Sequence, residues 1–402
     1  MVRIRLSIFF SVFVAMVGLM IIAPVMPPLI RELGLSETHS GLIISLGSIA
    51  MAVMAPVWGR RSDLLGRKPV ILIGFLGMFV SYILFTLVMY AGLSKWISGT
   101  LLVVLLIVAR AMVGLFIPAV PSSAQAYMAD VTDEKGRSAG MALIGAANGL
   151  GLVLGPAIAG IFVLIGLMWP LYIGAALPLI AFVVVLLLIP AHKPVIRAKP
   201  PKVNPFAKGL RLYLFAGLAT MLSIVTLQVI GGFYFQDQLA LSTQETARMV
   251  SLGLIFSGVA MIITQGLQMK NSKWQPKPLI LAGALLVLVS MTIFLFAMSF
   301  IGFYTAFFIF GIGAGLMMPG FMAGASLAVA PEQQGGVAGM IASVQGLSAV
   351  IAPILSTTLY QVDKHLPFVA VAAIVLIMGL TLLSVKNKVN AVQPISEKHF
   401  SA

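Results

Sequence analysis

The sequence predicts an all-α membrane protein of twelve transmembrane helices in two pseudo-symmetric six-helix halves. Three observations carry this: an apolar composition, twelve segments of spanning length, and self-similarity at half the chain length. Of the 402 residues, 60% are apolar and only 9% charged, and the mean hydropathy is +1.10. Soluble domains carry about 25% charged residues. A span needs about 20 mostly apolar residues. Twelve segments qualify, over residues 6–29, 41–58, 70–92, 99–127, 138–163, 170–190, 211–236, 247–269, 278–300, 302–330, 336–360 and 367–385. The repeat joins them in pairs. Gly315-Leu316-Met317-Met318-Pro319-Gly320 echoes Gly114-Leu115-Phe116-Ile117-Pro118-Ala119 at an offset of 201, and Ala338-Gly339-Met340 echoes Ala139-Gly140-Met141 at 199. Self-similarity in the same direction implies two parallel copies of one bundle.

Taken in order, span 1 runs well past 20 residues with no small-residue cleavage site before a polar segment, so it reads as a retained helix. Leu33-Gly34-Leu35-Ser36 precedes span 2 as Leu239-Ala240-Leu241-Ser242 precedes span 8, at an offset of 206. Spans 2 and 8 then reach Ala50-Met51 and Ala260-Met261. Span 4 is apolar except for Arg110, and a charged turn over 130–137 leads into span 5, with Gly145, Gly149, Gly151, Gly155-Pro156 and Gly160. Ala352-Pro353 of span 11 stands where Gly155-Pro156 did. The division is therefore an N-terminal bundle over 1–190, a linker over 191–210 with five Lys/Arg, four Pro and no acid, a C-terminal bundle over 211–385, and a polar tail over 386–402. The linker is Pro-stiffened and too short for a domain of its own.

Charge placement orients the chain. With Met1 inside, twenty of the twenty-five Lys/Arg and six of the eleven acids fall on the cytoplasmic side, a net of +14 against −1 outside. Such positive-inside asymmetry puts both termini in the cytoplasm. It also accounts for the pI of 10.1 without a nucleic-acid partner; the partner is the lipid bilayer. The absence of Cys removes disulfides, Fe–S clusters and thiolate zinc sites. His39, His192, His365 and His399 fall in loops or the tail, so neither a metal cage nor a His-based catalytic site is expected. The reading is no enzyme, no cofactor and no metal.

Between spans 2 and 3 stands Gly59-Arg60-Arg61-Ser62-Asp63-Leu64-Leu65-Gly66-Arg67-Lys68-Pro69. One acid sits inside a basic turn whose glycines permit close backbone approach. Asp63 can pair with neighbouring bases or face the positive end of a helix. This loop resembles the signature of the major facilitator superfamily, Gly-x-x-x-Asp-Arg-x-Gly-Arg-Arg/Lys: Gly59, Asp63, Gly66, Arg67 and Lys68 match, while Leu64 replaces an Arg. The resemblance covers essentially the whole chain. In span 5, Gly151-x-x-x-Gly155-Pro156-x-x-Ala159-Gly160 resembles the motif of the twelve-helix drug/proton antiporters, with Ala159 and Ala142 in place of glycines. Small residues four apart let helices approach, and Pro156 permits a bend. Gly18, Pro24 and Pro27 resemble the family's pattern at the outer end of span 1.

Arg110 lies about eleven residues, or ~16 Å, into its span. There it costs ~2.5–3.5 kcal/mol on insertion scales and must face protein or a water-filled cavity. It precedes Gly114 by four, as in the superfamily's Arg-x-x-x-Gly pattern, where the Arg is associated with proton coupling. A structural Arg bonded to backbone carbonyls is the competing reading. None of the eleven acids lies in the middle of a span, which disfavours a cation-binding pocket. Asn148, Gln228 and Gln345, with Gln265, are the candidate polar cavity residues, interhelical hydrogen bonding being their alternative role.

The resemblance implies a cavity lined by spans 1, 4, 7 and 10, alternating access, and a monomer in a bacterial cytoplasmic membrane exchanging a small molecule for protons. The expected function is proton-linked multidrug or amphiphile efflux. The alternative is export or import of an anionic or neutral metabolite such as a carboxylate siderophore. Finally, aligning the repeats makes Arg31 and Asp237 equivalent positions at the outer ends of spans 1 and 7, opposite charges able to bridge the halves when the outer gate closes.

Overall fold

The computed structural model describes residues 2–132, 134–190, 204–207, 209–270, 275–329 and 333–384. Most of the expected linker and all of the expected tail, with His192 and His399, lie outside the described residues. Among the described residues fourteen α-helices form: α1 (Val2–Ile21), α2 (Met26–Glu32), α3 (Glu37–Leu65), α4 (Arg67–Leu93), α5 (Gly99–Phe116), α6 (Ala119–Asp130), α7 (Glu134–Val163), α8 (Trp169–Leu188), α9 (Leu210–Leu239), α10 (Thr243–Lys270), α11 (Pro276–Phe296), α12 (Phe300–Leu327), α13 (Gln334–Val362) and α14 (Leu366–Ser384). They make twelve spans, because α1 with α2, and α5 with α6, each cross as one broken segment.

The breaks fall at prolines. Pro24 lacks an N–H and its ring crowds the carbonyl four residues back. The chain therefore turns over residues 22–25 and restarts at α2, which carries proline in its first turn. Pro118 separates α5 from α6 in the same way.

Several expected edges move. The segment over 59–69 is not a loop: residues 59–65 finish α3, Arg67 opens α4, and Gly66 alone breaks the helix at φ +94°, a conformation that favours glycine. Polar residues beyond the apolar window continue a helix readily, so hydropathy understates its length. His39, expected in a loop, sits in the first turn of α3, where Ser36 donates its backbone N–H to the ring Nδ1 at 3.1 Å.

Helices α1–α8 pack chiefly among themselves, as do α9–α14, and the two sets meet where α3 lies on α13, α7 on α10, and α2 on α9 and α10. The closest crossings repeat. A Cβ at Gly114 of α5 would lie 2.1 Å from the Gly47 carbonyl oxygen of α3, and one at Gly311 of α12 would lie 2.1 Å from the Ser257 carbonyl oxygen of α10. Spans 4 and 10 thus rest backbone to backbone on spans 2 and 8.

Side-chain contacts joining the two sets cluster toward one end or the middle. Ser45 Oγ donates to the Val350 carbonyl at 2.7 Å, and Gln244 Nε2 to the Val163 carbonyl at 2.9 Å. Gly160 lies against Ser251, and Gly258 against Val153. Toward the other end, Gly145 and Gly149 of α7, Gly266 of α10 and Gly339 of α13 face open space. Among the described residues, the two sets are thus joined at the Arg31 end and in the middle.

Candidate functional site

A cavity of about 120 Å³ lies at the seam, walled by residues of α1, α2, α3, α5, α9 and α13 and of the turn between α1 and α2. Its lining is apolar (Leu19, Ile22, Ala23, Pro27, Ile44, Val225, Val229, Ala349), with Met20, Met26 and Met51, and its polar groups are Ser48, Gln228 and Arg110. The lining holds no carboxylate. Spans 1, 4 and 7 contribute, as expected, but spans 2 and 11 do too and span 10 does not. Where span 4 carries Arg110, span 10 carries Gly311, pressed onto the backbone of α10.

Arg110 is 6% exposed. Its stem is clamped where α5 crosses α3: a Cβ at Gly47 would lie 3.0 Å from Arg110 Cγ. The guanidinium makes no hydrogen bond or ion pair with any described residue. Beside it, the fully buried Tyr82 hydroxyl donates to the Gly18 carbonyl of α1. Ser48 spends its hydroxyl on the Ile44 carbonyl at 3.0 Å, and Gln228 Nε2 meets Met20 Sδ at 3.8 Å. Of the four candidate amides, only Gln228 lines the cavity; Asn148, Gln265 and Gln345 are half-buried on α7, α10 and α13 and do not.

One turn beyond Pro27 on α2, Arg31 closes the space above. Arg31 pairs bidentately with Asp237 of α9, Nη1 to Oδ1 at 2.5 Å and Nη2 to Oδ2 at 2.9 Å, and Nη2 also reaches Glu37 Oε1 at 2.8 Å. Gln236 Oε1 accepts from Nη1 at 3.1 Å, the Tyr360 hydroxyl donates to Asp237 Oδ2 at 2.6 Å, and the Phe233 ring centre lies 5.1 Å from the guanidinium. Below, a Cβ at Gly232 of α9 would meet Pro27 Cβ at 2.7 Å. The repeat alignment brought Arg31 and Asp237 together. It gave no signal for Tyr360 or Glu37, which have no counterpart in the other half of the cluster.

At the opposite end, Arg67 Nη1 pairs with Asp63 Oδ1 at 2.5 Å and Nε with Asp130 Oδ2 at 2.9 Å; it also donates to Ser62 Oγ at 2.8 Å. The Arg67 and Asp130 side chains are 4% and 2% exposed, while that of Asp63 is 54% exposed. Lys68 Nζ donates to the Leu186 carbonyl at 2.9 Å. A Cβ at Gly59 would meet nothing within 4 Å. In α7, Gly151 and Gly155 seat the helix on Met16 and Met20 of α1, Pro156 is buried within the helix, and Gly160 meets α10.

A family model described as Major Facilitator Superfamily matches residues 8–353 and 271–401. Multidrug resistance protein 2 of Bacillus subtilis (strain 168) is 26% identical over 400 residues, covering 94% of each chain. The class C tetracycline resistance protein of Escherichia coli is 26% identical over 359 residues, covering 86% of each. Among solved structures, the nucleoside transporter NupG (D323A mutant) superposes with a TM-score of 0.74 at 12% identity, covering 94% of this chain and 99% of that one.

Proposed function

Because the chain belongs to the Major Facilitator Superfamily, a family of transporters and not of enzymes, we propose that it exports small amphiphilic molecules in exchange for protons by alternating access. The observation carrying this reading is the seam cavity between the two sets of helices, bridged on one side by Arg31 and Asp237, with glycines of α7, α10 and α13 facing open space toward the other. The efflux relatives support the direction of transport, and so does the antiporter-type glycine row that seats α7 on α1. The protein is a multi-pass membrane protein of twelve spans. Positive-inside asymmetry favours the cytoplasmic membrane of a bacterium with both termini inside, which makes the Asp63 end cytoplasmic and this conformation inward-open.

In the proposed cycle, residues 1–190 and 211–385 rock as two bodies joined by the 191–210 linker, in a single copy of the chain. The Arg31–Asp237 bridge holds the outer end shut while substrate enters from the Asp63 side. Its parting opens the outer side, and the junction of α3 and α4 that carries Gly59, Asp63, Gly66, Arg67 and Lys68 then closes the inner one. An exposed ion pair is worth ~0–1 kcal/mol, and at about 1.4 kcal/mol per tenfold that shifts conformer populations severalfold. Arg110 and Gln228 supply the polar contacts for substrate.

A second reading, transport of an anionic or neutral metabolite such as a carboxylate siderophore, is favoured by one observation: the lining holds an Arg and no acid. Flux into proteoliposomes under an imposed pH gradient tests the proposal. Amphiphilic dye should accumulate against its gradient when the lumen is acidic, and collapse when a protonophore dissipates the gradient. Uptake indifferent to the gradient would reject proton-linked exchange.

A further inference from the structure

We propose that the molecule carried is an amphiphilic acid whose ionised carboxylate is held by Arg110, with its apolar body against Met20, Met26 and Met51. This deepens the transporter reading and rests on it.

Arg110 holds an unspent donor set. A guanidinium offers five N–H donors in a planar fork that suits a carboxylate bidentately. Arg110 is only 6% exposed, yet none of those donors is taken up by a described residue. A structural arginine would spend them on carbonyls or a carboxylate, as Arg67 does on Asp63, Asp130 and Ser62 and Arg31 does on Asp237, Glu37 and Gln236. Arg110 is therefore unlike either of these two. Neither neighbouring hydroxyl is hydrogen-bonded to it: Tyr82 donates to Gly18 and Ser48 donates within its own helix, and no hydrogen bond joins either to Arg110.

The rest of the lining fits the rest of such a molecule. Thioethers are adaptable and polarisable and accommodate varied apolar shapes. Among the described residues the Gln228 amide has Met20 sulfur, at 3.8 Å, as its one hydrogen-bond partner, a weak contact that a ligand oxygen replaces at little cost. A cation would find no carboxylate in the lining and would meet the charge of Arg110 at short range. The clamp between Gly47 and Gly114 fixes the stem, so the fork is held in place before the ligand arrives.

The test uses the full chain in lipid nanodiscs and three probes sharing one body: 2-naphthoate, 2-naphthylmethanol and (2-naphthylmethyl)trimethylammonium. Equilibrium binding should rank anion over alcohol by about tenfold, the scale of a charge-assisted pair, with the cation weakest. Arg110→Gln should abolish the preference for the anion over the alcohol, and a Tm close to that of the unaltered protein shows that the variant is folded. Arg110→Lys should keep part of the preference, since charge survives without the fork. Equal affinities for anion and alcohol in the unaltered protein, a cation bound as well as the anion, or an anion preference that survives Arg110→Gln would each overturn the proposal. The ranking in the unaltered protein decides the matter even if both variants fail to fold. Proteoliposome flux separates the two claims: binding in the predicted order without flux of any probe would defeat the transport reading alone.

Discussion

Arg31 shows how much one residue can be read from its place in a repeat. Two copies of Leu-x-Leu-Ser align Arg31 with Asp237, and the structure joins them at 2.5 Å across the seam. If this bridge latches the outer end, Arg31→Asp sets two acids against each other and should favour the outward-open state. Adding Asp237→Arg should restore the balance. The chain has no Cys, so a single cysteine introduced at the outer mouth reports accessibility cleanly, rising severalfold in the single variant and falling back in the double. A double variant labelled as fast as the single one would leave the pair without a gating role. Asn148 and Gln345 show the opposite limit. An isolated amide in a helix that is apolar all round carries no amphipathic signal, and one residue of error turns it by about 100°. Gln228 faces the cavity and the other two do not, a distinction only the packed helices provide.

At the scale of elements, apolar windows located all twelve spans, but they did not foresee that α3 runs on through Asp63 or that Gly66 is the whole of the break. Side-chain hydropathy falls where a helix leaves the bilayer, while backbone hydrogen bonding continues. The result divides the work of the two acids beside Arg67. Asp130 is buried against it and Asp63 is half in solvent. Asp130→Ala leaves a buried guanidinium short of its better-shielded partner and should cost about 3 kcal/mol of stability, read as a lowered Tm. Asp63→Asn should leave Tm nearly unchanged and abolish transport, because its proposed duty falls in the conformation where the inner end closes. Normal transport by Asp63→Asn would reduce that residue to a topology signal. A large drop in its Tm would show that Asp63 shares the structural task of Asp130.

For the whole molecule, the duplication visible as offsets of 199 to 206 residues reappears as paired backbone crossings at Gly114 and Gly311. The asymmetries fall within the site: Arg110 against Gly311, and Tyr360 added to one side of the bridge. A repeat fixes where elements lie and is silent on where the two copies differ, so a wall that includes spans 2 and 11 and omits span 10 needed the packed structure, while Arg110 and the lack of a carboxylate were legible in the residues. The proposed cycle stands or falls on two bodies opening alternately to either side of this cavity. Distances between paired spin labels measure that most directly, with Leu164 and Met298 marking the Arg31 end and Leu64 and Leu327 the Asp63 end; all four side chains are more than half exposed. Across a pH change or on adding a transported molecule, alternating access predicts opposite movements, one pair lengthening in the population where the other shortens. Distances that stay fixed at both ends, or that lengthen together, would contradict it.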